Sequence, residues 1–147
     1  MVDVGSKAPS KRRAVAEARV WLGAEVFSLV KENRLRKGDL ISVAQIAGVM
    51  GAKATPTLIP LCHPLSLTHV DVRLHLHEED HSIRVECSAS TVGVTGVEME
   101  ALTGACVSAL TVYDMCKAAS HDIVIGGVML VSKRGGKADF EREGFSG

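Results

Sequence analysis

The 147-residue sequence lacks features that mark several common functional classes. It has only one Trp, one Tyr and three Phe, so few side chains could stack on the bases of a single-stranded nucleic acid. Seventeen basic residues balance seventeen acidic ones, which argues against a protein that coats nucleic acid through bulk charge. The longest apolar stretch, residues 123–131, is too short and too rich in glycine to span a bilayer.

The four cysteines lack the spacing of a metal or redox motif. No two-residue gap of the kind found in zinc knuckles separates any pair among Cys62, Cys87, Cys106 and Cys116. Cys106 and Cys116 lie in one predicted helix, too far apart to form a disulfide. We expect free thiols in a reducing compartment. Because residues 1–4 show no secretory signal, we expect a cytoplasmic protein.

The pattern of apolar residues predicts one domain that mixes strands and helices. A strand is favoured over residues 15–22, although the spacing there also allows a helix. The remaining predictions are helices over 24–32, 40–53 and 95–118, a loop over 57–64, a β-hairpin within 67–87, a strand over 123–132 and a polar, mobile tail from 135. The order β-α-α-β-β-α-β predicts an α+β sandwich, in which helices cover one face of a mostly antiparallel sheet.

The balanced net charge hides an uneven distribution along the chain. Residues 1–37 carry nine basic and four acidic side chains, whereas residues 38–132 carry four basic and ten acidic ones. Residues 133–147 carry four basic and three acidic side chains. The basic residues near both ends would converge on an anion if the ends meet in space, and a solvated surface is the alternative.

The predicted helix over 95–118 carries the strongest chemical signal. Asp114 and Lys117 are three residues apart, so they lie on one helix face as either a surface ion pair or an acid–base pair. Glu98 follows Thr95 with the spacing of a capping box, so it is either a capping residue or a functional one. No such local role explains Glu100.

The positions of Glu100 and Asp114 constrain any site that contains both. The two residues are fourteen positions apart, which places them roughly 21 Å apart along a helix. One small ligand cannot contact both on the same helix, so a shared pocket requires a second chain. This helix also carries several small side chains, which would allow another helix to approach closely and so suggest an oligomer with shared sites. They are Ala101, Gly104, Ala105, Ser108 and Ala109. Tight packing on the chain's own sheet is the alternative.

A Cys-His dipeptide lies in the proline-bounded loop over 57–64. Cys62 and His63 are candidates for a nucleophile and its base, or for metal ligands. No nearby residue completes a tetrahedral site, so no metal is expected. His63 alone is a candidate base, or a candidate hydrogen-bond donor to a phosphate group. His75 and His77 alternate with apolar residues and are expected to be exposed.

A basic, glycine-rich turn follows the last predicted strand. Residues 133–137 read Lys-Arg-Gly-Gly-Lys, and backbone N–H groups of such turns bind phosphate together with flanking cations. The turn lacks the spacing of a P-loop, so the signal is weak by itself. Residues 11–13 and 36–37 are further cationic candidates, with a solvated surface again as the alternative.

Three segments carry distinctive motifs: residues 58–65 (Leu-Ile-Pro-Leu-Cys-His-Pro-Leu), 95–103 (Thr-Gly-Val-Glu-Met-Glu-Ala-Leu-Thr) and 113–118 (Tyr-Asp-Met-Cys-Lys-Ala). Together they resemble the cyclic pyranopterin monophosphate synthase family, the molybdenum cofactor biosynthesis protein C family. Residues 1–4, 37–39 and 135–137 fit the same pattern. The resemblance covers nearly the whole chain in order. One departure is Arg134, where a small residue is more usual.

The resemblance implies a ferredoxin-like fold and a hexamer, a trimer of dimers with sites at subunit interfaces. It implies a cyclised dihydro-GTP substrate supplied by an upstream radical SAM enzyme, and the products cyclic pyranopterin monophosphate and pyrophosphate. Asp114 and Lys117 match the family's catalytic pair, and Lys37 is a further catalytic candidate. The matching substrate-binding positions are Leu61, Cys62, His63, Glu98, Met99, Glu100, Lys133 and Arg12.

The chemistry of that reaction suits these residue types. Opening a purine ring, forming a pterin and releasing pyrophosphate require proton transfer and neutralisation of phosphate charge. No redox step is needed, so no cofactor is expected, with Mg²⁺ possible as a companion of the nucleotide. The alternatives are a non-catalytic nucleotide-binding oligomer and, more remotely, a metal-dependent hydrolase. No nucleic-acid or membrane partner is expected.

Overall fold

The computed structural model describes residues 1–144. Nine elements are found there: β1 Ser10–Trp21, α1 Ala24–Lys31, α2 Leu40–Lys53, α3 Thr55–Leu58, β2 Leu67–His77, β3 Ser82–Gly93, α4 Glu98–Cys116, β4 Val124–Arg134 and β5 Phe140–Glu141. The strand favoured over 15–22 is confirmed as β1, which starts five residues earlier and ends at Trp21, and the predicted hairpin is confirmed as β2 and β3. None of the helices in this part of the chain is long and apolar enough to cross a membrane.

The five strands form one sheet in the order β2-β3-β1-β4-β5, and every neighbouring pair is antiparallel. β1 therefore lies between β3 and β4 in the interior of the sheet. The α+β class and the ferredoxin-like arrangement are confirmed. Because β1 joins the two hairpin strands to β4, it connects residues from opposite ends of the sequence.

One face of the sheet packs against α4. Ala14, Ala16 and Ala18 alternate along β1 and are almost completely buried, as are Ala101 and Ala105 of α4. Small side chains on both surfaces allow the helix to lie close to the sheet. The other residues of β1 point to the opposite face, because side chains alternate along a strand.

Gly104 allows α4 to pack closely against β3 and α2. A Cβ added there would lie 2.5 Å from Cys87 Sγ on β3 and 3.0 Å from the Gly48 carbonyl oxygen on α2. The small residues of α4 that suggested a second chain are all buried within this one. That argument for an oligomer was therefore wrong, and packing on the chain's own sheet and on α2 explains them.

Two segments contain short elements that the sequence prediction did not include. The segment 57–64 was predicted as a loop, but its first two residues belong to the short helix α3. Pro56 lies in the first turn of this helix, a position that suits proline. In the tail predicted to be mobile, β5 pairs with β4, with Ser132 opposite Glu141 and Lys133 opposite Phe140. Residues 145–147 of that tail lie outside the described residues.

Candidate active site

The structure divides the predicted site residues between the two ends of α4. At or near its N-terminal end lie Arg12, Leu61, Cys62, His63, Glu98, Met99, Glu100 and Lys133. At its C-terminal end lie Lys37, Asp114 and Lys117. Glu98 and Asp114 are sixteen positions apart in one helix, a separation of roughly 24 Å. One chain therefore carries two half-sites that a small ligand cannot bridge.

The first half-site contains a cleft between the loop after α3 and the start of α4, here called the loop cleft. It has a volume of about 430 Å³, and its walls include Leu61, Cys62, His63, Glu98 and Met99. Leu61 and Met99 give it exposed apolar surface. A cleft with apolar walls and a few polar groups suits a flat heterocyclic ring.

A second cleft, here called the basic cleft, adjoins the first. It has a volume of about 400 Å³ and is lined by Lys7, Arg12, Lys133 and Lys137, with Glu98 as its carboxylate. The loop cleft and the basic cleft share Thr95, Gly96 and Glu98. The basic residues near the two ends of the sequence do converge, because β1 and β4 are neighbouring strands. Four cations around one cleft can bind a polyanion such as a chain of phosphates.

Glu98 forms an ion pair across the basic cleft. Its Oε1 lies 3.0 Å from Lys133 Nζ, and both side chains are partly exposed. The N-cap of α4 is Val97, whose side chain makes no capping hydrogen bond. The capping role considered for Glu98 was therefore wrong, and its carboxylate interacts instead with a residue 35 positions away.

The neighbouring residue Arg134 points away from this cleft. Lys133 pairs with Ala14 in the sheet and faces the helices, whereas Arg134 pairs with Arg13 on the opposite face. Arg134 Nη2 lies 2.6 Å from Glu141 Oε2, and Nη1 donates to the Phe140 carbonyl oxygen at 3.0 Å. The departure from the family pattern at Arg134 thus contributes to the attachment of β5.

Glu100 is a buried acid beside the loop cleft. Its side chain is only 2% exposed, and Cys62 Sγ donates to its Oε1 at 3.9 Å. Glu100 Oε2 is buried and makes no hydrogen bond within residues 1–144. Burial raises the pKa of Glu100, and the nearby Glu98 charge raises it further. The surroundings of Glu100 therefore favour its protonated form more than water does.

Cys62 and His63 do not form a nucleophile and base. Burial, followed by the Glu100 carboxyl, raises the pKa of the Cys62 thiol, which disfavours a thiolate. His63 Nε2 lies 2.6 Å from the Val2 carbonyl oxygen, so it carries a proton and donates to that oxygen. His63 is thus oriented by the N-terminal segment and not by Cys62.

The C-terminal half-site is a three-residue charge cluster. Asp114 Oδ2 lies 2.7 Å from Lys37 Nζ, and Asp114 Oδ1 lies 3.0 Å from Lys117 Nζ. The hydrogen bonds from Lys37 and then Lys117 lower the pKa of Asp114, so its carboxylate is ionised at neutral pH. All three side chains are about half exposed. Two ammonium groups held by one carboxylate are suited to proton transfer with an incoming ligand.

Local backbone structure places Lys37 in this cluster. Gly38 follows it with φ of 103°, a left-handed conformation that favours glycine. Asp39 then caps α2, accepting a hydrogen bond from the Ser42 backbone N–H. The sharp turn and the cap fix the direction in which the chain leaves Lys37, which packs against the end of α4.

No group of three or more His, Cys, Asp or Glu side chains within residues 1–144 has the geometry to hold a metal ion. His75 and His77, which were expected to be exposed, are half-buried on β2. Burial, followed by the Arg84 charge, lowers the pKa of His75. These two histidines lie on an edge strand, on a different element from either half-site.

The sequence profile of the MoaC family matches residues 1–136. The chain belongs to the MoaC family. It is 48% identical over 144 residues to the cyclic pyranopterin monophosphate synthase of Peptoclostridium acidaminophilum, covering 97% of this chain and 90% of that protein. It is 58% identical over 138 residues to the mitochondrial cyclic pyranopterin monophosphate synthase of Arabidopsis thaliana, covering 94% of this chain and 51% of that protein.

The chain also matches proteins that are much longer than itself. The chain is 56% identical over 143 residues to molybdenum cofactor biosynthesis protein 1 of Drosophila melanogaster, covering 97% of this chain and 25% of that protein. The chain therefore spans about a quarter of the length of that relative. The resemblance drawn from residues 58–65, 95–103 and 113–118 is confirmed.

The basic cleft contains one lysine that the sequence analysis missed and one that it covered only as part of the glycine-rich turn. Lys7 and Lys137 line this cleft, and neither was named individually as a binding residue. Lys137 lies in the glycine-rich turn, whose composition gave a signal for it. Lys7 gave none, because its position in the cleft depends on how residues 1–9 fold back over the start of α4.

Proposed function

We propose that this chain is a cyclic pyranopterin monophosphate synthase that acts in molybdenum cofactor biosynthesis. Its substrate is (8S)-3′,8-cyclo-7,8-dihydroguanosine 5′-triphosphate, and its products are cyclic pyranopterin monophosphate and pyrophosphate. The printed names of the relatives support the activity. The observation that carries the mechanism is the Lys37–Asp114–Lys117 cluster, together with a basic cleft at the other half-site whose positive charge complements a triphosphate.

The N-terminal half-site binds the substrate. The triphosphate lies in the basic cleft, where Arg12 and Lys133 contact its oxygens together with Lys7 and Lys137. The purine-derived ring lies in the adjoining loop cleft. Residues that orient the ring and ribose there are Leu61, Cys62, His63, Glu98, Met99 and Glu100.

The C-terminal half-site performs the proton transfers. Lys117 is the general acid and base, and Asp114 positions it and tunes its acidity through the 3.0 Å contact. Lys37 is a second proton carrier, or stabilises charge on the leaving group. The reaction opens a purine ring, forms a pterin and closes a cyclic phosphate as pyrophosphate leaves. No electron is gained or lost, so proton donors and acceptors suffice and no cofactor is required; Mg²⁺ can accompany the nucleotide.

A complete active site in this proposal requires two copies of the chain. The half-sites are separated by roughly 24 Å within one α4, so one copy supplies the binding clefts and its partner supplies the Lys37–Asp114–Lys117 cluster. In a two-fold dimer each interface contains two such composite sites. Three dimers would form a hexamer, a cytoplasmic assembly that takes its substrate from an upstream radical SAM enzyme. Exposed apolar side chains on the helices, among them Ile46, Met50 and Leu110, provide surface for further contacts.

The experiment that tests the proposal is incubation of the purified protein with freshly prepared cyclised dihydro-GTP. Pyrophosphate and the pterin product are both measured, with wild type and Lys117→Ala in parallel. Formation of both products by wild type and their loss in the variant would support the proposal. Recovery of the nucleotide bound but chemically unchanged would overturn it in favour of a non-catalytic nucleotide-binding module.

A further inference from the structure

The carboxylate of Glu98 is folded back against the backbone of Gly96. A Cβ placed on residue 96 would lie 2.0 Å from Glu98 Oε2, 2.7 Å from Cδ and 2.8 Å from Oε1. All three distances are far shorter than a van der Waals contact. The Glu98 carboxylate can therefore occupy its observed place only because residue 96 has no side chain.

Backbone conformation does not explain a glycine at this position. Gly96 is not among the residues with positive φ, so its φ angle does not require a glycine. The clash that alanine would cause is with the end of a flexible side chain and not with the backbone. Alanine would thus displace the Glu98 carboxylate while the fold remains intact.

We propose that Gly96 is a positioning residue of the active site, which provides the space for Glu98 to hold Lys133 at the boundary between the loop cleft and the basic cleft. Lys133 Nζ lies 3.0 Å from Glu98 Oε1, and both clefts are lined by Glu98. The ion pair directs Lys133 to the point where the ring and the phosphates of the proposed substrate meet. The role of Gly96 in catalysis rests on the proposed function, whereas its effect on the position of Lys133 does not.

The first test measures Lys133 directly and requires no enzyme activity. Acetylation of Lys133 is followed by peptide mass spectrometry in wild type, Gly96→Ala, Glu98→Ala and the double variant. Breaking a partly exposed ion pair should raise the acetylation rate about threefold in each single variant, and the double variant should react no faster than Glu98→Ala. Two results would overturn the proposal. One is an unchanged acetylation rate in Gly96→Ala, and the other is a double variant that reacts faster than Glu98→Ala by the same factor by which Gly96→Ala exceeds wild type.

Gly93→Ala is the matched control for this series. A Cβ on residue 93 would meet nothing closer than Thr91 at 3.8 Å, which is an ordinary contact. The substitution also leaves the backbone carbonyl of residue 93 in place. This variant should acetylate at the wild-type rate. Circular dichroism and thermal unfolding of all variants verify that each one is folded.

The second test separates positioning from general damage to the site. Inorganic pyrophosphate is titrated into each variant by calorimetry, and turnover of the cyclised dihydro-GTP is measured. Gly96→Ala should bind pyrophosphate about threefold more tightly, because Lys133 no longer has a carboxylate partner, yet its kcat should fall. Weaker pyrophosphate binding would indicate mere damage and overturn the positioning role. If wild type forms no pterin, the proposed function fails while the acetylation result still decides the role of Gly96.

Discussion

Lys37 Nζ lies 2.7 Å from the Asp114 carboxylate, although 77 positions separate the two residues. The contact joins the turn before α2 to the last turn of α4, and Lys117, the residue that follows this helix, completes the cluster. Neither lysine has a second carboxylate within ion-pair distance in residues 1–144. A ligand that replaces Asp114 as a partner would therefore meet two ammonium groups at once.

Replacing Lys117 with alanine should abolish turnover. If Lys117 is the general acid and base, its loss should lower kcat by about 100-fold or more, with pyrophosphate binding at the other half-site unchanged. Steady-state kinetics with the cyclised dihydro-GTP measure this effect. Lys53→Ala, at an exposed lysine outside both half-sites, is the control. Near-normal activity of Lys117→Ala would contradict its catalytic role.

Replacing Asp114 with asparagine should lower activity across the whole neutral range. The two lysines lower the pKa of Asp114 below its usual 3.8, so its stabilising ion pairs are complete above that value and are lost only as pH falls through the lowered one. Between pH 5 and 9 the wild-type profile should then show no step from Asp114. The variant should be slower by about tenfold or more throughout. A wild-type rate in Asp114→Asn at any pH in that range would rule out its positioning role.

Two inactive variants should restore activity when they are mixed. His63→Ala damages the binding half-site and Lys117→Ala damages the catalytic one. After subunit exchange, half of the dimers contain both variants, and one of their two composite sites is intact, so activity should reach about a quarter of wild type. Exchange is verified by native mass spectrometry. A mixture that exchanges fully but stays inactive would show that the half-sites do not meet between subunits.

Replacing Glu100 with glutamine should alter how stability depends on pH. Burial raises the pKa of Glu100 above its usual 4.5, so the folded protein binds more protons than the unfolded chain above that pH. Wild-type stability should therefore fall, relative to Glu100→Gln, as pH rises from about 4.5 through the raised pKa. Urea unfolding at pH 4 and pH 7 measures the difference. Parallel changes in both proteins would show that the Glu100 pKa is not raised.

Replacing Gly104 with alanine should destabilise the packing of α4. The added methyl group would overlap Cys87 Sγ at 2.5 Å, and overpacking of this kind costs about 1–3 kcal/mol. The double variant Gly104→Ala with Cys87→Ala removes the sulfur atom and should recover part of that loss. Urea unfolding measures the four proteins of the cycle. Strictly additive losses would mean that the sulfur is not the obstacle.

Elements defined by neighbouring residues could be predicted from the sequence. The helix predicted over 40–53 has those bounds, because Asp39 is a good N-cap and its effect is local. Helix α4 was predicted too long at both ends, since Thr95 fits a capping box that the chain does not form. The short helix α3 was missed because four residues give too little periodicity to detect.

Site residues could be identified from their motifs, and the spacing of Asp114 and Lys117 also predicted their contact, but partners far apart in the sequence could not be predicted. Glu98 fits a capping role by spacing, yet its partner Lys133 reaches it through the pairing of β4 with β1. Lys37 and Asp114 were both candidates, and only the tertiary fold shows that they touch. The packing of Gly104 against Cys87 likewise depends on contacts that no local pattern contains.

The alternation of Lys133 and Arg134 along β4 limits how this strand can change in length. Deleting one residue upstream in β4 would shift the pairing register by one and exchange the faces of the two cations. The guanidinium would then enter the basic cleft, and β5 would lose its anchor on the outer face. Deleting two residues would preserve both faces. Insertions and deletions in β4 should therefore be tolerated in pairs, as in any strand whose two faces have different partners.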